Sequence, residues 1–214
     1  MKIAIDINGV IRDVFTKASY IYEKYYMDEN SDTNSSEYDD KSGEWVKQDN
    51  ESVFNYRLNL PINSLKLIEH YTFPTEQDLY DFFYIDFPMQ IFGHASSAEN
   101  ITFNVLNEIY TKFRDECEIT LISDEMGKSK PATLFFLSKY GCLIENISFY
   151  SNITIDKVIN NFDVILTANP NVIENFKKNK KIIKYKTTYN AYIDSETTIE
   201  HLSEFESILN KIVK

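Results

Sequence analysis

Asp6, Asn8 and Gly9 close an apolar strand pattern at Met1–Ile7, Ser123 closes a second at 116–123, and Lys157 stands shortly before a third at 163–167. If those strands lie parallel in one sheet, these side chains share its carboxyl edge, which is where open parallel sheets place ligands. A carboxylate in that position can act as a nucleophile. The Asn8 amide cannot titrate, so it is no general acid or base. Thr167 and Ala168 end the third strand without an anionic oxygen. Asp124 follows Ser123 at the start of a loop, where an acid is more often solvated than a ligand.

The elements that must position these residues alternate along the chain. Residues 13–27 have helical apolar spacing. From Ser96 a helix pattern runs to about Arg114, with Ser96 and Glu99 placed as a capping box. The strand at 116–123 is followed by a helix opened near Ser129 to Pro131 and closed by Gly141, a strand at 147–151, and a short helix around Asp156 to Asn160. The strand at 163–167 leads to Asn169 and Pro170, which suit an N-cap and first helical turn. A strand at 181–185 precedes a last helix from about Thr197 that buries Ile199, Leu202, Phe205, Leu209 and Ile212. The pattern predicts an α/β fold, a Rossmann-like doubly wound parallel sheet of about five strands. Residues 1–17 and 95–214 form its core, and 18–94 form a mainly helical insertion. Within the insertion, 28–51 carries nine acids and two lysines and reads as a solvated loop. Eight Tyr and Phe rings crowd between Tyr71 and Phe92. They need cover, from a small core of their own, from stacked nucleobases or from a protein partner.

Composition removes several function classes. The chain has 214 residues, with 33 Asp+Glu against 22 Lys+Arg and a formal net charge of −11. That balance opposes general nucleic-acid binding, which relies on neutralising phosphates. There is no apolar run of about 18 residues, so no membrane span is expected. MKIAIDINGV is unlike a signal peptide, which predicts a cytoplasmic protein. Cys117 and Cys142 read as buried free thiols of a reducing compartment, and neither they nor His70, His94 and His201 show metal-ligand spacing. Only 5 glycines are present, so a Gly-rich phosphate loop is all but excluded. The Asn-x-Ser/Thr triplets at Asn34, Asn50, Asn100, Asn146 and Asn152 reflect an Asn-rich chain rather than glycosylation.

IAIDINGV, ITLIS and DKVINNFDVILTANP, in that order, resemble the motifs of the haloacid dehalogenase (HAD) superfamily, closest to its 5'(3')-deoxyribonucleotidase-like branch. The resemblance covers the core and implies that 18–94 is a cap. It assigns Asp6 as nucleophile, Asn8 to the acid/base position, Ser123 and Lys157 to the phosphoryl oxygens, and Thr167 and Ala168 to positions where paired acids hold Mg2+. The departures at Asn8, Thr167 and Ala168 predict a catalytically inactive protein with no cofactor. Mg2+ is expected only if the chain is instead a phosphohydrolase of nucleoside monophosphates working through an aspartyl-phosphate. Three outcomes stay open for Asp6, Ser123 and Lys157: a relic in which Lys157 pairs with Asp6, a site that binds a phosphorylated ligand without turnover, or an unusual catalysis. The Asn, Ile, Lys, Tyr and Phe usage and the Asp-Ile-Asn-Gly variant are similar to HAD-like proteins of AT-rich tailed bacteriophages. That likeness implies a structural or protein-interaction role as a virion or assembly component. Its partners would be other protein subunits, reached through cap residues 71–92.

Overall fold

The computed structural model describes residues 1–27, 36–39, 44–47 and 55–213. In chain order the strands are β1 (Lys2–Asp6), β2 (Arg12–Asp13), β3 (Ser36–Asp39), β4 (Glu44–Lys47), β5 (Ser96–Ser97), β6 (Glu118–Asp124), β7 (Ile147–Tyr150), β8 (Val164–Thr167), β9 (Lys181–Tyr185) and β10 (Thr198–Ile199). The helices are α1 (Val14–Tyr22), α2 (Glu76–Asp81), α3 (Thr102–Phe113), α4 (Ser129–Lys139), α5 (Ile155–Ile159), α6 (Pro170–Phe176) and α7 (Ser203–Ile212). Six strands form a parallel sheet in the order β10-β9-β8-β1-β6-β7. The chain runs outward from β1 through β6 to β7, then crosses back to β8 on the other side. The switch point therefore lies over the end of β1, where Asp6 pairs in register with Ile122.

Period-two alternation divides the core. Ile3, Ile5, Leu121 and Leu166 face a layer that includes Leu106 of α3, Phe136 of α4 and Phe205 and Leu209 of α7. Ala4, Ile122, Ile165 and Ile182 face the opposite layer, with Ile159 of α5 and Val172, Ile173 and Phe176 of α6. A third cluster joins Val14, Ala18, Ile21 and Tyr22 of α1 to Ile62, Tyr71, Phe73, Phe82, Phe83, Ile91 and Phe92, and reaches into the core at Ala132 of α4. Tyr80, Tyr84 and Phe87 are half-buried. The rings between Tyr71 and Phe92 thus serve chiefly as the insertion's own core. The exposed large apolar side chains of that segment are Ile85 and Met89.

Several boundaries differ from the sequence reading. A sixth strand, β10, occupies the start of the expected last helix, and α7 begins at Ser203. Ile199 and Leu202 are buried in either arrangement, so their spacing does not separate the two. Ser96 caps no helix. It pairs with Asp13, and α3 begins at Thr102, whose hydroxyl accepts from Glu99 N and donates to Glu99 O. The Glu99 carboxylate instead accepts from Tyr185 Oη at 2.7 Å and Leu202 N at 2.9 Å. The loop expected at 28–51 lies outside the described residues, except that Ser36–Asp39 and Glu44–Lys47 pair as antiparallel strands. Cys117 is buried, Cys142 is half-buried, and both are free. Among the described residues no helix is long and apolar enough to cross a membrane.

The turn after β1 depends on Gly9, which has φ +82° and donates its N–H to Arg12 O at 2.9 Å. A Cβ there would collide with the Tyr189 hydroxyl and come within 2.8 Å of Ala168 Cβ. We predict that Gly9→Ala lowers stability by about 2–4 kcal/mol through left-handed strain and overpacking, measured by urea unfolding. Tyr189→Phe in that background should recover part of the loss, and no recovery would contradict this packing argument.

Candidate functional site

A cleft of about 1030 Å³ opens over the switch point, with Asp6, Asn8, Arg12 and Asp124 at its core side. Its floor has two halves with opposite electrostatics.

One half is saturated. Arg12, fully buried, enters from β2. Its Nε and Nη2 donate to Asn8 Oδ1 at 3.2 and 2.6 Å, its Nη1 to Phe92 O at 3.0 Å and Thr133 Oγ1 at 2.6 Å, and its Nη2 also to Glu125 Oε1. Those five contacts match the five N–H donors of a guanidinium. Its faces lie 5.2 Å from the Phe92 and Phe136 ring centroids, a cation–π sandwich between insertion and core. Glu125 is 1% exposed and also accepts from Ser123 Oγ at 2.9 Å and from Thr133 Oγ1. Asn8 Nδ2 donates to Ser123 Oγ at 3.2 Å, so the Ser123 hydroxyl has both a donor and an acceptor within the protein.

The other half is unsatisfied. Asp6 is 2% exposed. Its Oδ2 accepts from Thr167 Oγ1 at 2.7 Å, while Oδ1 is buried without a hydrogen-bond partner. Burial, with the charges of Asp124 and Glu125 as lesser contributions, pushes its carboxyl up to about 7 despite opposing hydrogen bonds from the Thr167 hydroxyl and the Asn8 backbone. Asp124 is pushed up to about 6 by burial and by Glu125. It lines the cleft, where the sequence reading placed a solvated acid. Thr167 Oγ1 also accepts from Asn169 N, and Ala168 is fully buried with its carbonyl bonded to Asn190 Nδ2.

Lys157 is absent from this assembly. It is exposed on α5, and among the described residues it forms no ion pair with Asp6. The helix connects β7 to β8 and packs on the sheet through Ile159, with Lys157 turned to solvent. The pairing expected of a relic site is therefore not what holds Asp6. Asn8 and Ser123 come together with Arg12, Glu125 and Thr133, which the sequence reading passed over, while Asp6 lines the same cleft bonded to Thr167. A usable signal existed. Arg12 is one of three arginines in the chain and interrupts an apolar run just after Gly9.

Mg2+ held between the ends of β1 and β8 would need acids from both. Here β8 ends in a hydroxyl that already bonds Asp6 and a methyl packed beside Gly9. Asp6 Oδ1 is one free oxygen. Among the described residues no three His, Cys, Asp or Glu side chains group so as to hold a metal ion. The donors present do not fit the ion.

Two expected outcomes follow from the two halves. Arg12→Met strands Glu125 in the interior and should cost about 3–5 kcal/mol in equilibrium unfolding. Adding Glu125→Gln should return roughly half, and no recovery would show that packing rather than charge dominates. For Asp6, a folded pKa raised from 3.8 to about 7 means the folded state binds its proton more tightly than the unfolded state. The associated stability is complete below about pH 4 and is lost as pH rises through 7. Asp6→Asn should therefore raise Tm by about 5 °C or more at pH 8, with the gain shrinking toward pH 4. A gain that does not depend on pH would sink that assignment.

No protein-family model matches the chain, and no curated protein matches it. Solved structures do. A protein described as a haloacid dehalogenase-like hydrolase from Burkholderia xenovorans is similar with a TM-score of 0.54 at 12% identity, covering 98% of this chain and 96% of that one. A HAD-superfamily hydrolase of subfamily IA, variant 1, from Geobacter sulfurreducens is similar with a TM-score of 0.53 at 14% identity, covering 97% and 95%. Sheet and insertion together thus have the fold of HAD-superfamily hydrolases.

Proposed function

We propose that this chain is a HAD-fold protein that does not hydrolyse phosphate esters and acts instead as a binding or structural module. The observation that carries the reading is the charge of the cleft. Among its described lining residues, Asp6, Asp13, Glu23 and Asp124 face a single cation, Arg12, whose donors are already engaged. A phosphate entering there meets carboxylates and finds no uncommitted ammonium, guanidinium or metal to hold it. The hydroxyl suited to a phosphoryl oxygen, Ser123, is bonded to Asn8 and Glu125. The competing reading, hydrolysis through an aspartyl-phosphate, draws support from one feature: a shifted carboxyl in a cleft is a common mark of catalysis. That reading lacks an acid, however, because position 8 carries an amide that cannot titrate. As a module, the protein would work among other protein subunits, and its composition fits a phage virion or assembly component.

We expect purified protein with about 10 mM MgCl2 to show no turnover of nucleoside monophosphates or p-nitrophenyl phosphate above the level of its Asp6→Asn variant. Mg2+ should shift Tm by less than about 1 °C, because an ion stabilises only by binding the folded state. Turnover present in the parent protein and abolished in Asp6→Asn would overturn the proposal.

A further inference from the structure

We infer that the cleft binds a small amphipathic organic cation, an ammonium or guanidinium group carried on an apolar body, with the cation placed against Asp6. The inference rests on the reading that this cleft does not take phosphate, and it names what the cleft takes instead.

Three observations converge on that class. First, Asp6 is buried at the cleft floor with Oδ1 unpartnered, and the one cation lining the described cleft, Arg12, has its N–H donors engaged by other groups. An oxygen in that condition is satisfied best by an N–H donor bearing positive charge. Second, Asp124, Asp13 and Glu23 line the same cleft, so the field along the approach favours cations and opposes anions. Burial first, and nearby carboxylates second, push the phenols of Tyr84, Tyr150 and Tyr189 upward, as such a field requires. Third, the wall from the insertion is apolar, with Leu60, Pro61, Ile62, Leu65 and Leu67 beside Val14 of α1. Leu60 is 61% exposed and Tyr20, also on the wall, is 54% exposed. A hydrated inorganic cation gains nothing from such a wall, whereas a hydrocarbon or aromatic body buries it. Tyrosine rings on the cleft add faces for cation–π contact. The volume, about 1030 Å³, lies just above the range usual for small-ligand clefts, about 300–1,000 Å³.

A matched series tests the sign of the charge directly. The full chain is titrated by calorimetry, with ligand-observed NMR as a second readout, against 2-phenylethylamine, 2-phenylethanol, 3-phenylpropionate and inorganic phosphate. The amine should bind saturably at one site, the alcohol at least tenfold more weakly, and the two anions not detectably. Asp6→Asn should weaken the amine tenfold or more. That variant is expected to be more stable than the parent, so the loss would not come from unfolding. Asp124→Asn should weaken it severalfold. Equal binding of amine and propionate, amine binding unchanged in Asp6→Asn, or no binding of the amine would each overturn the inference. A lysine-bearing peptide that binds where the free amine does not would overturn it in favour of a protein occupant. Absence of amine binding together with absence of phosphatase turnover removes this inference and leaves the non-hydrolytic reading standing. Phosphate binding with Asp6-dependent turnover removes both.

Discussion

A guanidinium with no access to water must find an acceptor for every N–H, and Arg12 imposes that requirement on everything near it. Taking an ion out of water costs several kcal/mol even after the surroundings relax. The partners are therefore not interchangeable: Asn8 must present its carbonyl oxygen, Thr133 its hydroxyl, Glu125 its carboxylate and Phe92 its backbone carbonyl. Each assignment then fixes another. With Asn8 Oδ1 turned to Arg12, its Nδ2 is turned to Ser123, whose proton goes to Glu125. Groups that could have met a ligand's anionic oxygens are committed to one another. Recruiting any of them to a ligand would leave a buried charge short of a partner.

Asp6 shows the opposite condition a short distance away. Two residues before Asn8 in the chain, it accepts from the Thr167 hydroxyl, and its Oδ1 has no hydrogen-bond partner. The sheet keeps it there. β1 is central, Asp6 is registered against Ile122, and Thr167 follows directly after the Leu166 that pairs with Ile5. Backbone pairing with two neighbouring strands outweighs the penalty of one poorly solvated carboxyl, so the strain persists as a raised proton affinity rather than as a local rearrangement. Saturation on one side and deficit on the other leave the cleft floor with one buried carboxylate oxygen that has no hydrogen-bond partner.

Much of this architecture was legible in the sequence, because it depends on local periodicity. The parallel strands, the cap formed by Asn169 and Pro170, and the close of α4 near Gly141 follow from alternation, capping and turn chemistry. Asp6, Asn8 and Ser123 were legible as one edge for the same reason. What local pattern does not carry is which way a helical side chain faces. Lys157 has suitable spacing, but α5 packs on the sheet through Ile159 and leaves Lys157 exposed. Arg12, Glu125 and Thr133 were illegible as a network because their contact joins residues more than a hundred positions apart. The two-residue strands β5 and β10 were missed because a pair of residues has no period, and the neighbouring apolar residues suit a helix equally well.

The Arg12 contacts also bear on how the insertion behaves. A cap that serves phosphoryl transfer closes over bound substrate and then reopens. Here the carbonyl of Phe92 is held by a buried guanidinium, the Phe92 ring forms one side of the cation–π sandwich, and the apolar cluster of the insertion continues without a break into Ala132 of α4. Lifting this wall would expose Arg12 and Glu125 together, at a cost comparable to a large share of a domain's net stability. Such a wall suits a preformed cleft, in which a ligand gives up little binding energy to ordering the protein. The interactions that commit Asn8, Ser123 and Glu125 to one another and to Arg12 are therefore the same ones that hold the cavity in shape.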